Sequence, residues 1–342
     1  MDILIFDMDG VLIDVSRSYR ETIQRTVQIY LKTCLGIKDG EADPVTKEDI
    51  SLFKSAGGFN NDWDLTSGLL LFLLSLSGLP PSFKRKTFSS IGEIISDLKT
   101  RSSNLSKNIT QLIQKKNLPR FIRKVRLAGG GLTGVRKVLK TSWEGWVYGD
   151  GDLNQENVVK RIFQEVYLGR KFTSCYHLPR FFYKGKGLYL QEGLIIPRNI
   201  LSSLEKRFLL GIASGRPRFE AELALKRFRL SPYFDSMVTL DECQEEETRI
   251  FRTTGRRIKY TKPHPYSLLR VVQEINIPYP QCGYVGDVVD DMLATRAAKK
   301  ELDILAIGFL HGGKKDEVMK DVLLKAGADL IVKNPRGLLC FL

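Results

Sequence analysis

Apolar residues along this chain recur in two rhythms, and the rhythm changes near residue 191. Beyond Glu192 they come in short unbroken runs, at 208–213, 237–240, 282–285, 304–309 and 330–332. Stretches at 217–228, 265–275, 290–299 and 315–326 separate the runs and read as helices. Continuous apolar strands alternating with helices predict a parallel sheet covered on both faces, an α/β, Rossmann-like unit. Residues 3–6, Ile-Leu-Ile-Phe, have the same character and are expected to join that sheet. Between lies a region whose apolar spacing is mostly helical. Residues 16–35 form its first helix, on Tyr19, Ile23, Val27 and Tyr30/Leu31, with Asp14 or Ser16 able to cap it. Turn-like breaks fall at 56–62 and 128–131, and 181–190 reads as an aromatic-rich hairpin around a Lys-Gly turn. The expected organisation is a discontinuous unit of 1–16 and 191–342 and an inserted helical unit of 17–190. Two domains also suit a length of 342 residues.

In open parallel sheets the binding crevice lies at the carboxyl ends of the strands. The residues expected there carry chemistry. The first strand ends in Asp7-Met8-Asp9-Gly10, the 208–213 strand in Ser214-Gly215-Arg216-Pro217, and the 282–285 strand in Gly286-Asp287-Val288-Val289-Asp290-Asp291. Lys262 precedes Pro263-His264-Pro265 and the next helix. Two carboxylates about 4 Å apart repel by about 4 kcal/mol at an effective dielectric of 20, so Asp7, Asp287 and Asp291 together need a cation. Oxygen-only ligands select a hard ion such as Mg²⁺, which also contacts phosphate. Ser214 and Lys262 offer a hydroxyl and a positive charge to an anionic group. Gly10 and Gly215 allow backbone amides to approach it. The set describes a site for phosphoryl transfer.

As an ordered set, DxDG, a strand ending in Ser, a Lys before a helix and GDxxxD resemble the four motifs of the haloacid dehalogenase (HAD) superfamily. The resemblance covers about 1–16 and 191–342, and the long insert is similar to the C1-type helical cap of the phosphoglycolate phosphatase-like subgroup (subfamily I). It implies that Asp7 is a nucleophile forming an aspartyl-phosphate. Asp9 would protonate the leaving group and then activate water, and its carbonyl would help hold the metal. Ser214 and Lys262 would bind the phosphoryl oxygens. Asp287 and Asp291 would hold Mg²⁺ directly or through water, with Asp290 an extra acid behind them. Members that cleave carbon–halogen or carbon–phosphorus bonds typically lack the second Asp, so Asp9 favours phosphate esters. The expected activity is a Mg²⁺-dependent phosphatase acting on a small phosphorylated metabolite. A phosphotransferase or phosphomutase would use the same residues.

Composition narrows the setting. Hydrophobic residues make up 43% of the chain, ample for a core. The longest apolar run, 68–79, is shorter than the roughly 20 residues of a membrane span, so a buried helix is expected there. No signal peptide is visible, and the five scattered cysteines include no CxxC pair, which fits a reducing, cytoplasmic setting. The net charge of +14 is concentrated: residues 81–140 hold fifteen bases and two acids, about +13. That window reads as a solvated face that steers small anions, partly an amphipathic helix on Ile91, Ile94, Ile95 and Leu98. The alternative is a nucleic-acid-binding surface, with the site acting on a polynucleotide end.

Other signals are weaker. Gly129-Gly130-Gly131-Leu132-Thr133-Gly134 satisfies GxGxxG, but no buried strand precedes it, so a helix break is expected. His264 and His311 stand alone, and Trp143 and Trp146 are expected in a core. The loop Phe59-Asn60-Asn61-Asp62-Trp63 either faces substrate, through Asn60 and Asn61, or caps the helix that follows. Arg216 either touches substrate or has a surface or helix-start role.

Overall fold

The computed structural model describes residues 1–37, 43–59, 61–103, 117–310 and 316–341. The chain divides into two compact units, Met1–Val15 with Glu192–Leu342, and Ser16–Gln191.

The first unit is built on a six-stranded sheet whose strands lie side by side in the order 236–238, 209–213, 3–6, 281–286, 303–309 and 330–332. Its strands are β1 (Ile3–Phe6), β4 (Leu209–Ala213), β5 (Ser236–Val238), β6 (Gln281–Gly286), β7 (Asp303–Phe309) and β8 (Leu330–Val332), and every pairing is parallel. All four residues of β1 are buried, because both faces of the sheet are covered. Leu4 and Phe6 pack with Leu201 and Leu204 of the helix Arg198–Leu204 and with Ala221 and Ala224 of the helix Arg218–Phe228. Ile3 and Ile5 pack on the other face with Leu268 and Val271 of the helix Tyr266–Ile275.

Register then sets the site. Phe6 lies opposite Ile212 of β4 and Val285 of β6. One step further along parallel strands brings Asp7 level with Ala213 and Gly286, so Ser214 and Asp287 follow at the same edge. A two-stranded ladder, β2 (Ile13–Asp14) with β3 (Gly193–Leu194), pairs the segment leaving this unit with the segment returning to it.

The second unit is helical. α1 (Tyr19–Ile29) continues as a π-helical turn at Tyr30–Cys34, so the helix expected to 35 changes its winding before it ends. α2 (Lys47–Lys54), α3 (Asp62–Leu76), α4 (Ile91–Arg101), α5 (Leu118–Leu127), α6 (Gly131–Val138), α7 (Val158–Leu168) and α8 (Lys171–Tyr176) follow. α3 is buried from Leu65 to Leu74, which accounts for its apolar run. No helix among the described residues is long and apolar enough to cross a membrane.

The two glycine-rich breaks meet backbone to backbone. Gly131 N–H donates to Gly57 O at 2.7 Å, and a Cβ on Gly131 would lie 2.1 Å from Gly58 O. The GxGxxG pattern is therefore a close crossing of two turns within this unit. The expected hairpin at 181–190 does not form. The N–H groups of Phe181, Phe182 and Tyr183 donate to the carboxylate of Glu165 at 2.7–3.1 Å, which takes the place of a partner strand. Glu165 is itself held by Arg161 at 2.9 Å, and both are fully buried.

Candidate active site

The parallel register gathers the expected residues of the first unit. Carboxylate oxygens of Asp7, Asp287 and Asp291 lie within 4.8 Å of one another. Lys262 reaches Asp7 Oδ1 at 2.9 Å and Asp291 Oδ1 at 2.7 Å. Its Nζ also meets the Tyr284 hydroxyl at 2.9 Å, and that hydroxyl donates to Asp291 Oδ1 at 2.9 Å. Tyr284, inside β6, was not anticipated: in sequence it is one more apolar-run residue. Its position opposite Ile5 in a buried strand is the signal that a polar tip there needs a partner.

Each acid does something different. Asp291 is fully buried, and both of its oxygens are bonded: Oδ1 to Lys262 and Tyr284, Oδ2 to the N–H groups of Asp287 and Val288 at 3.1 and 3.2 Å. It fixes the lysine and the start of the helix Val289–Ala298. Asp287 is partly accessible, yet its Oδ1 is buried without a hydrogen-bond partner. Gly10 makes that placement possible. Its φ is +79°, and a Cβ there would stand 2.1 Å from Asp287 Oδ2. Glycine alone meets both demands. Asp290 is half-buried and outside the three-carboxylate group.

Electrostatics follow from burial. Desolvation pushes the Asp7 carboxyl up to about 7; Lys262 opposes the shift, and Asp291 and Asp9 add to it. Asp287 is raised well above the usual carboxylate range, by burial first and then by Asp291 and Asp7. Burial alone would lower Lys262, but Asp291 and Asp7 hold it well above its ordinary value. One ammonium beside three grouped carboxylates leaves the group short of positive charge. An orphaned buried carboxylate oxygen on Asp287, beside Asp7, fits a hard divalent cation. Asp7 and Asp287 are the acids with oxygens to give, and Asp291 fits a role through water or through Lys262.

The remaining expected residues are placed less uniformly. Ser214 is buried at the end of β4, and its Oγ accepts the Arg216 N–H at 3.2 Å. Gly215 is exposed, and a Cβ there would meet nothing within 4 Å, so no close protein contact requires a glycine. Arg216 is not on the surface. It is 2% exposed and binds Asp9 Oδ1 through Nε at 2.6 Å. Asp9 is therefore turned toward Arg216 and is not one of the three grouped carboxylates. Asn61 caps α3: its Oδ1 accepts the Asp64 N–H at 2.7 Å and its Nδ2 donates to Asp64 Oδ2 at 2.9 Å. The capping alternative describes it. Asn60 and His311 lie outside the described residues. His264 Nδ1 accepts the Tyr266 N–H at 3.2 Å, a local turn contact.

Residues 196–299 match the family described as haloacid dehalogenase-like hydrolase. A structural-genomics X-ray structure is 20% identical with a TM-score of 0.62, over 99% of this chain and 98% of that one. Phosphatase Tt82 from Thermococcus thioreducens is 23% identical with a TM-score of 0.54, over 94% of this chain and 99% of that one. Both likenesses concern the fold. A curated relative, imidazoleglycerol-phosphate dehydratase of Phytophthora nicotianae, is 23% identical over 297 residues. This chain spans 41% of that relative's length. Residues 196–299 are thus similar to the haloacid dehalogenase-like hydrolases, and the chain shares its fold with the two solved structures.

Proposed function

We propose that the chain is a Mg²⁺-dependent phosphatase of small phosphomonoesters working through an aspartyl-phosphate on Asp7. The observation that carries this reading is the group of Asp7, Asp287 and Asp291 against Lys262 at the strand ends. Asp7 attacks phosphorus, the ester P–O bond breaks, and Asp9 gives its proton to the leaving oxygen. Asp9 then takes a proton from a water that attacks phosphorus. The acyl-phosphate P–O bond breaks and phosphate leaves. Lys262 and the Ser214 hydroxyl neutralise and orient the phosphoryl oxygens. Asp7 and Asp287, with the Asp9 carbonyl, would hold Mg²⁺, which when bound adds positive charge at the phosphoryl oxygens. In this reading Met1–Val15 with Glu192–Leu342 is the catalytic core, and Ser16–Gln191 the cap that selects substrate. The five free cysteines suit a cytoplasmic setting. A panel of phosphorylated metabolites, assayed for phosphate release with Mg²⁺, tests the reading. Release from at least one small ester is expected, and release from none contradicts it. Transfer of the phosphoryl group to a sugar instead of water would select the mutase alternative.

A second reading rests on the basic window. Residues 98–143 contain no Asp or Glu. The acids bordering them are already paired, Asp97 with Lys86 and Arg101, and Glu144 and Asp150 with Arg85 and Arg136. On α5 the residues Leu118, Phe121, Ile122 and Val125 are buried, while Arg120, Arg123, Lys124 and Leu127 form the opposite, exposed stripe. If that stripe steers small anions, its effect weakens smoothly with salt, since the Debye length is about 8 Å at physiological ionic strength. If it binds a nucleic-acid backbone, affinity falls with a log–log slope of about 0.9 per phosphate neutralised on duplex DNA. We expect weak binding of duplex and single strands between about 50 and 200 mM salt. Tight, steeply salt-dependent binding that is lost in Arg120→Glu/Arg123→Glu/Lys124→Glu, with small-ester turnover unchanged, would promote the nucleic-acid reading.

A further inference from the structure

Arg216 is a fully desolvated cation that touches none of the three grouped carboxylates. Its Nε and Nη2 both bind one oxygen of Asp9, Oδ1, at 2.6 and 2.5 Å. On its other side, Nη2 reaches Glu192 Oε1 at 3.1 Å and Nη1 reaches Oε2 at 3.5 Å. Arg216 is 2% exposed and Glu192 5%, whereas the Asp9 side chain is 34% exposed. Two buried charges therefore back one accessible carboxylate. Burying a guanidinium and a carboxylate is costly unless they are paired with good geometry, and here the pair is spent on orienting a third group.

The anchorage extends into the backbone. The Arg216 N–H donates to Ser214 Oγ at 3.2 Å, and the Arg216 carbonyl accepts the Leu240 N–H at 2.9 Å. Glu192 is the residue at which the chain re-enters the sheet unit, one position before β3. β3 in turn pairs with β2, which follows the turn that carries Asp9. The arginine thus joins the Asp9 turn, the Ser214 strand end and the returning segment.

We infer that Arg216, backed by Glu192, is a positioning residue for Asp9. It clamps Oδ1 and leaves Oδ2 as the oxygen that meets the leaving group. The inference rests on the phosphatase reading and deepens it. Two guanidinium donors converging on one carboxylate oxygen hold Oδ1 in place and, with it, the side-chain rotamer of Asp9. An Asp9 side chain swung away from Arg216 cannot reach the leaving oxygen at hydrogen-bond distance.

The test is leaving-group dependence. p-Nitrophenolate departs without a proton, and an alkoxide does not. kcat/KM reports the steps up to the first irreversible one, transfer to Asp7. For Arg216→Lys, kcat/KM on an alkyl phosphate is expected to fall by about 10²–10³, while on p-nitrophenyl phosphate it falls less than about fivefold, since general-acid help is worth about 10²–10⁴. Glu192→Gln should show the same selective loss, smaller in size, and carries the test if Arg216→Lys does not fold. Equal losses on both esters, or no loss on either, would overturn the assignment. Asp9→Asn and Asp7→Asn separate the two layers of argument. If Asp9→Asn shows the selective loss and the Arg216 and Glu192 variants do not, the positioning role fails and the phosphatase reading stands. If Asp7→Asn turns over normally, the reading itself fails.

Discussion

Asp7→Asn is expected to cut phosphate release by at least about 10³-fold, as removal of a covalent nucleophile does. The fold should remain. Asp7 is 6% exposed at the end of a central strand, and burial together with Asp291 and Asp9 already disfavours its charge. An amide of the same shape removes a repelling carboxylate and keeps its place beside Lys262. Thermal unfolding should therefore be unchanged or shifted upward while turnover vanishes. The separation matters, because a variant that merely unfolded the crevice would lose both. Near-normal phosphate release from a folded Asp7→Asn protein would rule out the aspartyl-phosphate mechanism.

Metal removal should have the second large effect. EDTA is expected to abolish turnover and Mg²⁺ to restore it, and the same ion should raise the unfolding temperature in a pH-dependent way. The sign follows from the raised carboxylates. Asp7 titrates near 3.8 in the unfolded chain and about 7 in the folded one, and Asp287 is shifted in the same direction. The folded state holds protons that the unfolded state has released. This contribution to stability is fully present below about pH 4 and is lost as pH rises through about 7. A cation that replaces those protons stabilises most where they are absent. At 100 times its dissociation constant it contributes about 2.7 kcal/mol. The Mg²⁺-induced rise in unfolding temperature should be clear at about pH 7.5 and small near pH 5, where protons compete for the same oxygens. Asp287→Ala should raise the Mg²⁺ concentration needed for the effect. Full activity and an unmoved unfolding temperature in metal-free buffer at pH 7.5 would exclude the cation from this site.

The strands and the polar residues at their ends were legible for the same reason. A strand buried on both faces must be apolar throughout, so β1, β4, β6, β7 and β8 announce themselves, and the polar residues at their ends stand out. β5 was legible only in part, because Leu240 belongs to the helix Leu240–Thr254. That helix carries few apolar residues, so no apolar run marks it in the sequence. Its one sequence signal is Thr239 with Glu242, whose carboxylate takes the Thr239 N–H at 2.7 Å, a capping box. Long-range pairing was not legible at all. Arg216 reads as a helix start until Glu192 is folded against it, 24 residues earlier in the chain. Glu165 looks like a surface acid until three N–H groups of a segment sixteen and more residues away converge on it. Local pattern reports periodicity and caps. It does not report which buried charge will meet which.

The central claim is that phosphate passes through Asp7, and covalent trapping tests it most directly. The protein is mixed with Mg²⁺ and p-nitrophenyl phosphate, quenched in acid during turnover, and treated with borohydride, which reduces an acyl phosphate to the alcohol. Peptide mass spectrometry then locates the reduced residue. Reduction of the side chain at position 7, in the peptide that also contains Asp9, is the predicted result, and it should be missing from Asp7→Asn. Steady release of p-nitrophenol with no reduced aspartate at position 7, or with the mark on another residue, would contradict the account.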